Sequence, residues 1–318
     1  MKKTTKIWLY VALLCITIGI GIFMLTACGS KSFSNNINTS TVTHEITEDF
    51  SKIIINSDTS DIVFIPTDDG ICKIISTEHK KMKSVVNVKD GTMTLGFINE
   101  KKWYDYILDF GERKITVYLP KTEYDSLIID ESTGDIYMPK DFNFGAADIK
   151  LSTGDIDFCA SVLEKLKINL STGDVDIKNC SVGSLEITGS TSDIEIENLN
   201  CASDMSVHIS TGEVELSDVN CANLSSTGST GNIELERVVA SGKLSIERST
   251  GDIHFDATDA AEICFKTDTG NVIGSLLSTK NFICSTDTGN IRLPSDAGTQ
   301  KCEIRTDTGD IEVTVIKK

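Results

Sequence analysis

Helix-forming pattern is nearly absent from this sequence. Gly and Thr recur too often for a long helix, and residues 161–167 offer room for one helical turn at most. Aromatic residues make up only 6% of the 318 residues, which suits a thin, repetitive core of Ile, Leu and Val. Basic charge is scarce where it would matter. Residues 121–318 hold 16 Lys+Arg against 34 Asp+Glu, a net of −18, while residues 1–120 are almost balanced at 14 against 13. Phosphate binding needs a basic face, so this balance argues against nucleic acid as a partner. Cations and basic peptides stay open, beside the plain alternative of a solvated acidic surface that keeps the chain soluble. There are only four histidines, and none lies near a serine or cysteine in a nucleophile motif. No Cys-x-x-Cys pair occurs, which argues against zinc.

What is present is a repeat. A turn reading Thr-Gly-Asp or a close relative recurs ten times, at Thr133, Thr153, Thr172, Thr191, Thr211, Thr230, Thr250, Thr269, Thr288 and Thr308. The gaps are 20, 19, 19, 20, 19, 20, 19, 19 and 20 residues. Such regularity belongs to stacked coils, each placing its turn above the one below. Around each turn apolar residues alternate, as in Ile168 and Leu170 before Thr172 and Val175 and Ile177 after it. Period two means strand with one face inward. The expected fold is therefore all-β: a single-chain parallel β-solenoid of about ten coils, roughly 45–50 Å long at about 4.8 Å per coil.

The amino terminus reads as an export signal. Lys2, Lys3 and Lys6 precede an apolar run over residues 7–25, then Thr26, Ala27 and Cys28. Leu25-Thr26-Ala27-Cys28 resembles the lipobox of bacterial lipoproteins, which implies that Cys28 is lipidated. Two acyl chains give stable membrane attachment. A single uncleaved transmembrane helix is the alternative, since the run approaches the roughly 20 residues that span a bilayer. Both place the chain on the outer face of a bacterial cytoplasmic membrane. The organisation expected is residues 1–27 as signal or anchor, 28–48 as a Ser/Asn/Thr-rich tether, 49–120 as an irregular β segment capping the solenoid, and 121–318 as the repeats. Within 49–120, Ser57-Asp58-Thr59-Ser60-Asp61 looks like a degenerate first copy of the turn, and Lys89-Asp90-Gly91 like a hairpin turn.

The repeated Ser/Asp-Thr-Gly-Asp/Asn-Ile turn, with Val117-Tyr118-Leu119-Pro120 ahead of the first full copy, resembles the bacterial putative-adhesin repeat family, also called the toastrack domain, over about residues 50–318. The resemblance implies a right-handed solenoid in a cell-envelope setting linked to envelope-stress signalling, and it implies no catalytic residues.

Three groups of residues are candidates for function. Asp135, Asp155, Asp174 and Asp193 lead a row of equivalent turn positions that continues through Glu213, Asn232, Asp252, Asn271, Asn290 and Asp310. Stacked carboxylates repel, and Ca²⁺ would relieve that, while the simpler reading has each side chain bonding its own turn. Trp103, Tyr104 and Tyr106 form an aromatic cluster suited to partner contact or to capping the solenoid end. Cys180, Cys201 and Cys221, each in an Asn-Cys-Ser/Ala context, are expected to stack at one inner corner as free, buried thiols. The function expected is a non-enzymatic envelope interaction protein with no cofactor, whose partner is an envelope protein, a wall polymer or a cationic peptide. A polysaccharide-active β-solenoid enzyme and a structural spacer are the alternatives. The enzyme reading suffers from coils that stay at 19–20 residues without loop insertions to build a cleft.

Overall fold

The computed structural model describes residues 39–100 and 113–316. Among them every regular element is a strand, and the repeats stack in parallel register. Thr133, Thr153, Thr172, Thr191, Thr211, Thr230, Thr250 and Thr269 pair in succession. That register lines up the alternating apolar residues into inner columns. Ile129, Ile149, Ile168, Ile187 and Val207 form one before the turn. Ile136, Ile156, Val175, Ile194 and Val214 form another after it. All ten are buried. The fold is the expected parallel β-solenoid. Residues 161–167 form no helical turn. They lie in strand Ser161–Thr172, where the inward Val162 and Leu166 are better buried by ladder pairing with the next coil.

Beyond the fixed turn, each central coil bends at one residue in left-handed conformation: Asn179, Asn198, Asp218, Arg237 and Ala257, with φ of 47–55°. Asn and Asp tolerate this region best, which explains three of the five. Arg237 holds its place by clamping Asp218 at 2.6 and 2.7 Å.

The cysteines depart from the expected single column. Cys201 pairs with Val182, whereas Cys180 pairs with Leu199. Cys221 pairs onward with Ala240, as Asn200 and Asn220 before these two cysteines are paired. Cys201 and Cys221 thus share a column, and Cys180 sits in the adjacent one. The Asn-Cys context misleads because Asn179 is the left-handed corner while Asn200 and Asn220 lie in strand. All eight cysteines among the described residues are free. Burial pushes the Cys72, Cys180, Cys221 and Cys302 thiols up to about 12, which keeps them protonated.

Chain order and stacking order part company at both ends. At the start, strands Lys52–Thr59 and Asp61–Thr67 form a coil whose Thr59 pairs with Thr133. Strands Thr92–Asn99 and Lys114–Pro120 then pair in parallel on its other side. The first coil of the chain is therefore second in the stack. At the finish, strand Lys301–Thr308 lies between residues 263–269 and strand Asn281–Thr288, and Ile311–Val315 likewise lies between Val272–Leu276 and Ile291–Arg292. The last coil of the chain is also second from its end. A terminal strand paired on both edges frays less readily than one with an open edge.

Antiparallel strands close the first end. Met82–Lys89 covers Thr92–Asn99 through a hairpin whose Asp90 and Gly91 have φ of 51° and 73°, as a type I′ turn requires. Cys72–His79 covers Lys114–Pro120, and Thr39–Ile46 covers Cys72–His79. The second half of the segment expected as a tether is thus a sheet strand, because Val42, His44 and Ile46 alternate against it.

One inner column next to the fixed turn carries unusual residues: Glu131, Leu151, Leu170, Gly189, Ile209, Gly228 and Arg248. Arg248 fits because Gly228 leaves room. A Cβ there would lie 2.5 Å from Arg248 Nη1. Arg248 Nη2 donates to Ser226 Oγ at 3.1 Å, and burial lowers the guanidinium to about 10.

Glu131 accepts the Ser60 and Thr133 backbone N–H groups at 3.3 and 3.4 Å, yet burial raises its carboxyl from 4.5 to about 7. The folded pKa lies above the unfolded one. The native state therefore holds this proton more tightly, and stability present below pH 4.5 is lost as pH rises through 7. The expected loss is roughly 3 kcal/mol across that window. Glu131→Gln is expected to flatten this part of the stability–pH curve, measured by urea unfolding from pH 4.5 to 8. An unchanged slope would contradict the assignment.

Candidate functional site

The row of turn acids is assembled as a ladder of hydrogen bonds running along the rod. The Asp155 backbone N–H donates to Asp135 Oδ1 at 2.9 Å, and Asp174 N–H to Asp155 Oδ1 at 2.9 Å. Asp193 N–H reaches Asp174 Oδ1 at 3.3 Å, and Glu213 N–H reaches Asp193 Oδ1 at 2.8 Å. The ladder starts at Asp61, which accepts Asp135 N–H at 3.1 Å. Each side chain thus bonds the next coil's backbone, where the simpler sequence reading had it bonding its own turn. Asp and Asn both carry an oxygen on Cγ, which is why either serves. Glu213 is one methylene too long, so Asn232 Nδ2 bonds its carboxylate at 3.3 Å instead. Asp135, Asp155, Asp174 and Asp193 are therefore engaged in holding coils together. Among the described residues no group of three or more His, Cys, Asp or Glu side chains is arranged to hold a metal ion.

Two residues after the ladder runs a second acidic column: Asp157, Asp176, Glu195, Glu215 and Glu234, paired in succession. The two columns flank a shallow groove of about 260 Å³ lined by Asp174, Asp176, Asp193, Glu195, Glu213 and Glu215. Lys178 partly relieves it, at 2.9 Å from Glu195 and 3.9 Å from Asp176. Burial lifts Asp176 to about 6 despite Lys178, with Glu195 adding repulsion. Glu215 is raised by burial and then by Glu234, Glu195 and Glu213. Like charges facing each other across strands are destabilising, so this strip stores repulsion.

A second concavity of about 710 Å³ lies on the variable-turn side of the early coils. Tyr124, Phe144, Val162, Leu163 and Val182 supply apolar lining, with Glu123, Asp125 and Glu164 beside them. Leu163 is 81% exposed. Below the groove Phe50, Tyr124 and Phe144 stack at 6.0 and 5.9 Å, and Tyr124 Oη donates to Pro120 O at 2.9 Å. The predicted contacts Trp103, Tyr104 and Tyr106 lie outside the described residues, as does Cys28.

The cap brings His44 to Ser84, a pair that sequence spacing does not reveal. His44 Nε2 lies 2.8 Å from Ser84 Oγ. Glu78, however, bonds the Ser84 hydroxyl and backbone N–H rather than the imidazole. A serine nucleophile needs its base oriented by the acid. This cluster instead ties strand Thr39–Ile46 to strand Met82–Lys89 across the rod's end.

The coil geometry agrees with a family model. The Toastrack DUF4097 model matches residues 50–257 and 221–318, together most of the chain. The chain belongs to the Toastrack DUF4097 family. Among solved structures, this Toastrack chain is similar to a putative adhesin from Parabacteroides distasonis: 15% identity, 86% of this chain and 97% of that one, TM-score 0.48. A putative adhesin from Parabacteroides merdae matches at 16% identity, 88% and 97% coverage, TM-score 0.47. A putative lipid binding protein from Parabacteroides distasonis matches at 18%, 74% and 94%, TM-score 0.47. A search of curated proteins gave no match.

Proposed function

We propose that this chain is a non-enzymatic, envelope-anchored interaction protein whose acidic strip binds a cationic ligand, a basic peptide above all. The observation that carries the reading is the double column Asp155, Asp174, Asp193, Glu213 beside Asp157, Asp176, Glu195, Glu215, Glu234, with raised Asp176 and Glu215 carboxyls. Toastrack membership supports the non-enzymatic part, and the lipobox-like Leu25-Thr26-Ala27-Cys28 supports the anchor. Envelope-stress sensing fits a protein that registers cationic peptides at the membrane's outer face.

Titration with oligolysine tests it. Binding is expected to weaken by about ten-fold or more between 0.05 and 0.5 M salt, because exposed charges are screened beyond a few ångströms at high ionic strength. Glu195→Gln with Glu215→Gln is expected to weaken it at low salt. Absence of binding, or binding indifferent to salt, would sink the proposal.

A further inference from the structure

The two ends of the rod are finished differently. The first is closed by antiparallel strands. At the other, among the described residues, strands Asn281–Thr288 and Ile291–Arg292 each pair on one side only, with Lys301–Thr308 and Ile311–Val315. Their inward residues continue the core columns into the open. Phe282 stacks on Cys302, Cys284 on Ile304, and Ile291 on Ile311. Ile311 is fully buried, while Ile291 is 42% exposed. Leu293, two residues on, is exposed as well, and so is Ile283 on the outward face of its strand. Exposed edge strands with apolar faces are normally blunted by charge or cover. Here residues 281–300 carry only Asp287, Arg292 and Asp296.

We infer that this end is the dimerisation surface for a second copy of the chain, docked end to end about a two-fold axis. Three observations select that occupant. A lone peptide strand would cover one of the two open edges, whereas another coil end covers both together. The only uncapped coil end among the described residues is this one, so the matching surface is its own copy. Residues 121–318 carry a net charge of −18, yet the end coil over 281–300 holds only two acids and one arginine, so two copies meeting there face little of that repulsion. The coil supplies 20 residues, 281–300, at the lower bound of the roughly 20–30 per side of a stable interface. Antiparallel pairing centred on Cys284 keeps inward side chains opposite one another, with Cys284 facing Cys284 of the second copy. The inference is independent of cation binding.

Sedimentation velocity of the full chain in detergent micelles, over a dilution series, tests it. Wild type is expected to show a monomer–dimer equilibrium. Ile291→Asp with Leu293→Asp, both at exposed positions, is expected to weaken dimerisation at least about ten-fold. Copper–phenanthroline oxidation is expected to crosslink wild-type chains through a Cys284–Cys284 disulfide and to fail on Cys284→Ser, a readout that does not depend on the aspartate variant folding. A wild type that stays monomeric, a dimer that survives both aspartates, or crosslinking unaffected by Cys284→Ser would each overturn the inference.

Discussion

Lys280→Ala is expected to destabilise the carboxy-terminal coils by about 3–5 kcal/mol, the cost of breaking a buried ion pair on one side. The Lys280 side chain is fully buried. Its ammonium pairs with the Asp259 carboxylate and donates to Ala260 O and Gln300 Oε1, both at 2.6 Å. All three N–H donors have partners. Those partners lie on different coils. Asp259 and Ala260 belong to the coil preceding the inserted one, and Gln300 leads into the inserted coil itself. One side chain therefore ties the outermost coil across the inserted coil. Alanine leaves Asp259 short of its counter-charge and opens a void. The expected signs are a lower urea midpoint and faster proteolytic nicking between residues 276 and 301. Lys280→Met restores volume without the charge and is expected to recover little. Adding Asp259→Asn to Lys280→Met is expected to recover part of the loss, which a double-mutant cycle would read directly. If Lys280→Ala melts like wild type, the ion pair does not hold the end together.

The regular part of this fold was legible because its determinants are local. A turn every 19–20 residues and alternation around it specify strand, face and coil length without knowledge of distant neighbours. The order of coils was not legible for the same reason. Every coil offers nearly the same turn, so nothing local says that Asp310 should bond Asn271, 39 residues away, with Asn290 outside it. The acidic strip lay in plain view as the residues two after each ladder position. Alternation places them outward, and only stacking turns isolated acids 19–20 residues apart into one column. Arg248 fits only through the gap at Gly228 one coil below, and the Phe50–Tyr124–Phe144 stack joins three separate segments. Such features arise from stacking and leave no contiguous pattern.

The turn glycine is where sequence and stacking constrain each other most tightly, and Gly173→Ala is expected to cost about 3–5 kcal/mol. Gly173 has φ of 131°, a conformation that strains any L-residue by about 1–3 kcal/mol. An added Cβ would lie 2.0 Å from Gly154 O, and 3.1 Å from Asp155 Oδ1. Coils spaced by their backbone ladder have no room to give, and overpacking adds a similar amount. The clash falls on the ladder itself, since Asp155 Oδ1 accepts the Asp174 N–H. Ser192 shows how the chain manages without glycine: it avoids positive φ, and the neighbouring Asp193 N–H to Asp174 Oδ1 bond is 3.3 Å against 2.9 Å one coil earlier. Gly96 provides the control, with an ordinary φ and nothing within 4 Å of an added Cβ. Gly96→Ala is expected to stay within about 1 kcal/mol of wild type. Equal urea midpoints for the two alanine variants would mean that the turn, and not the glycine within it, sets the spacing of the coils.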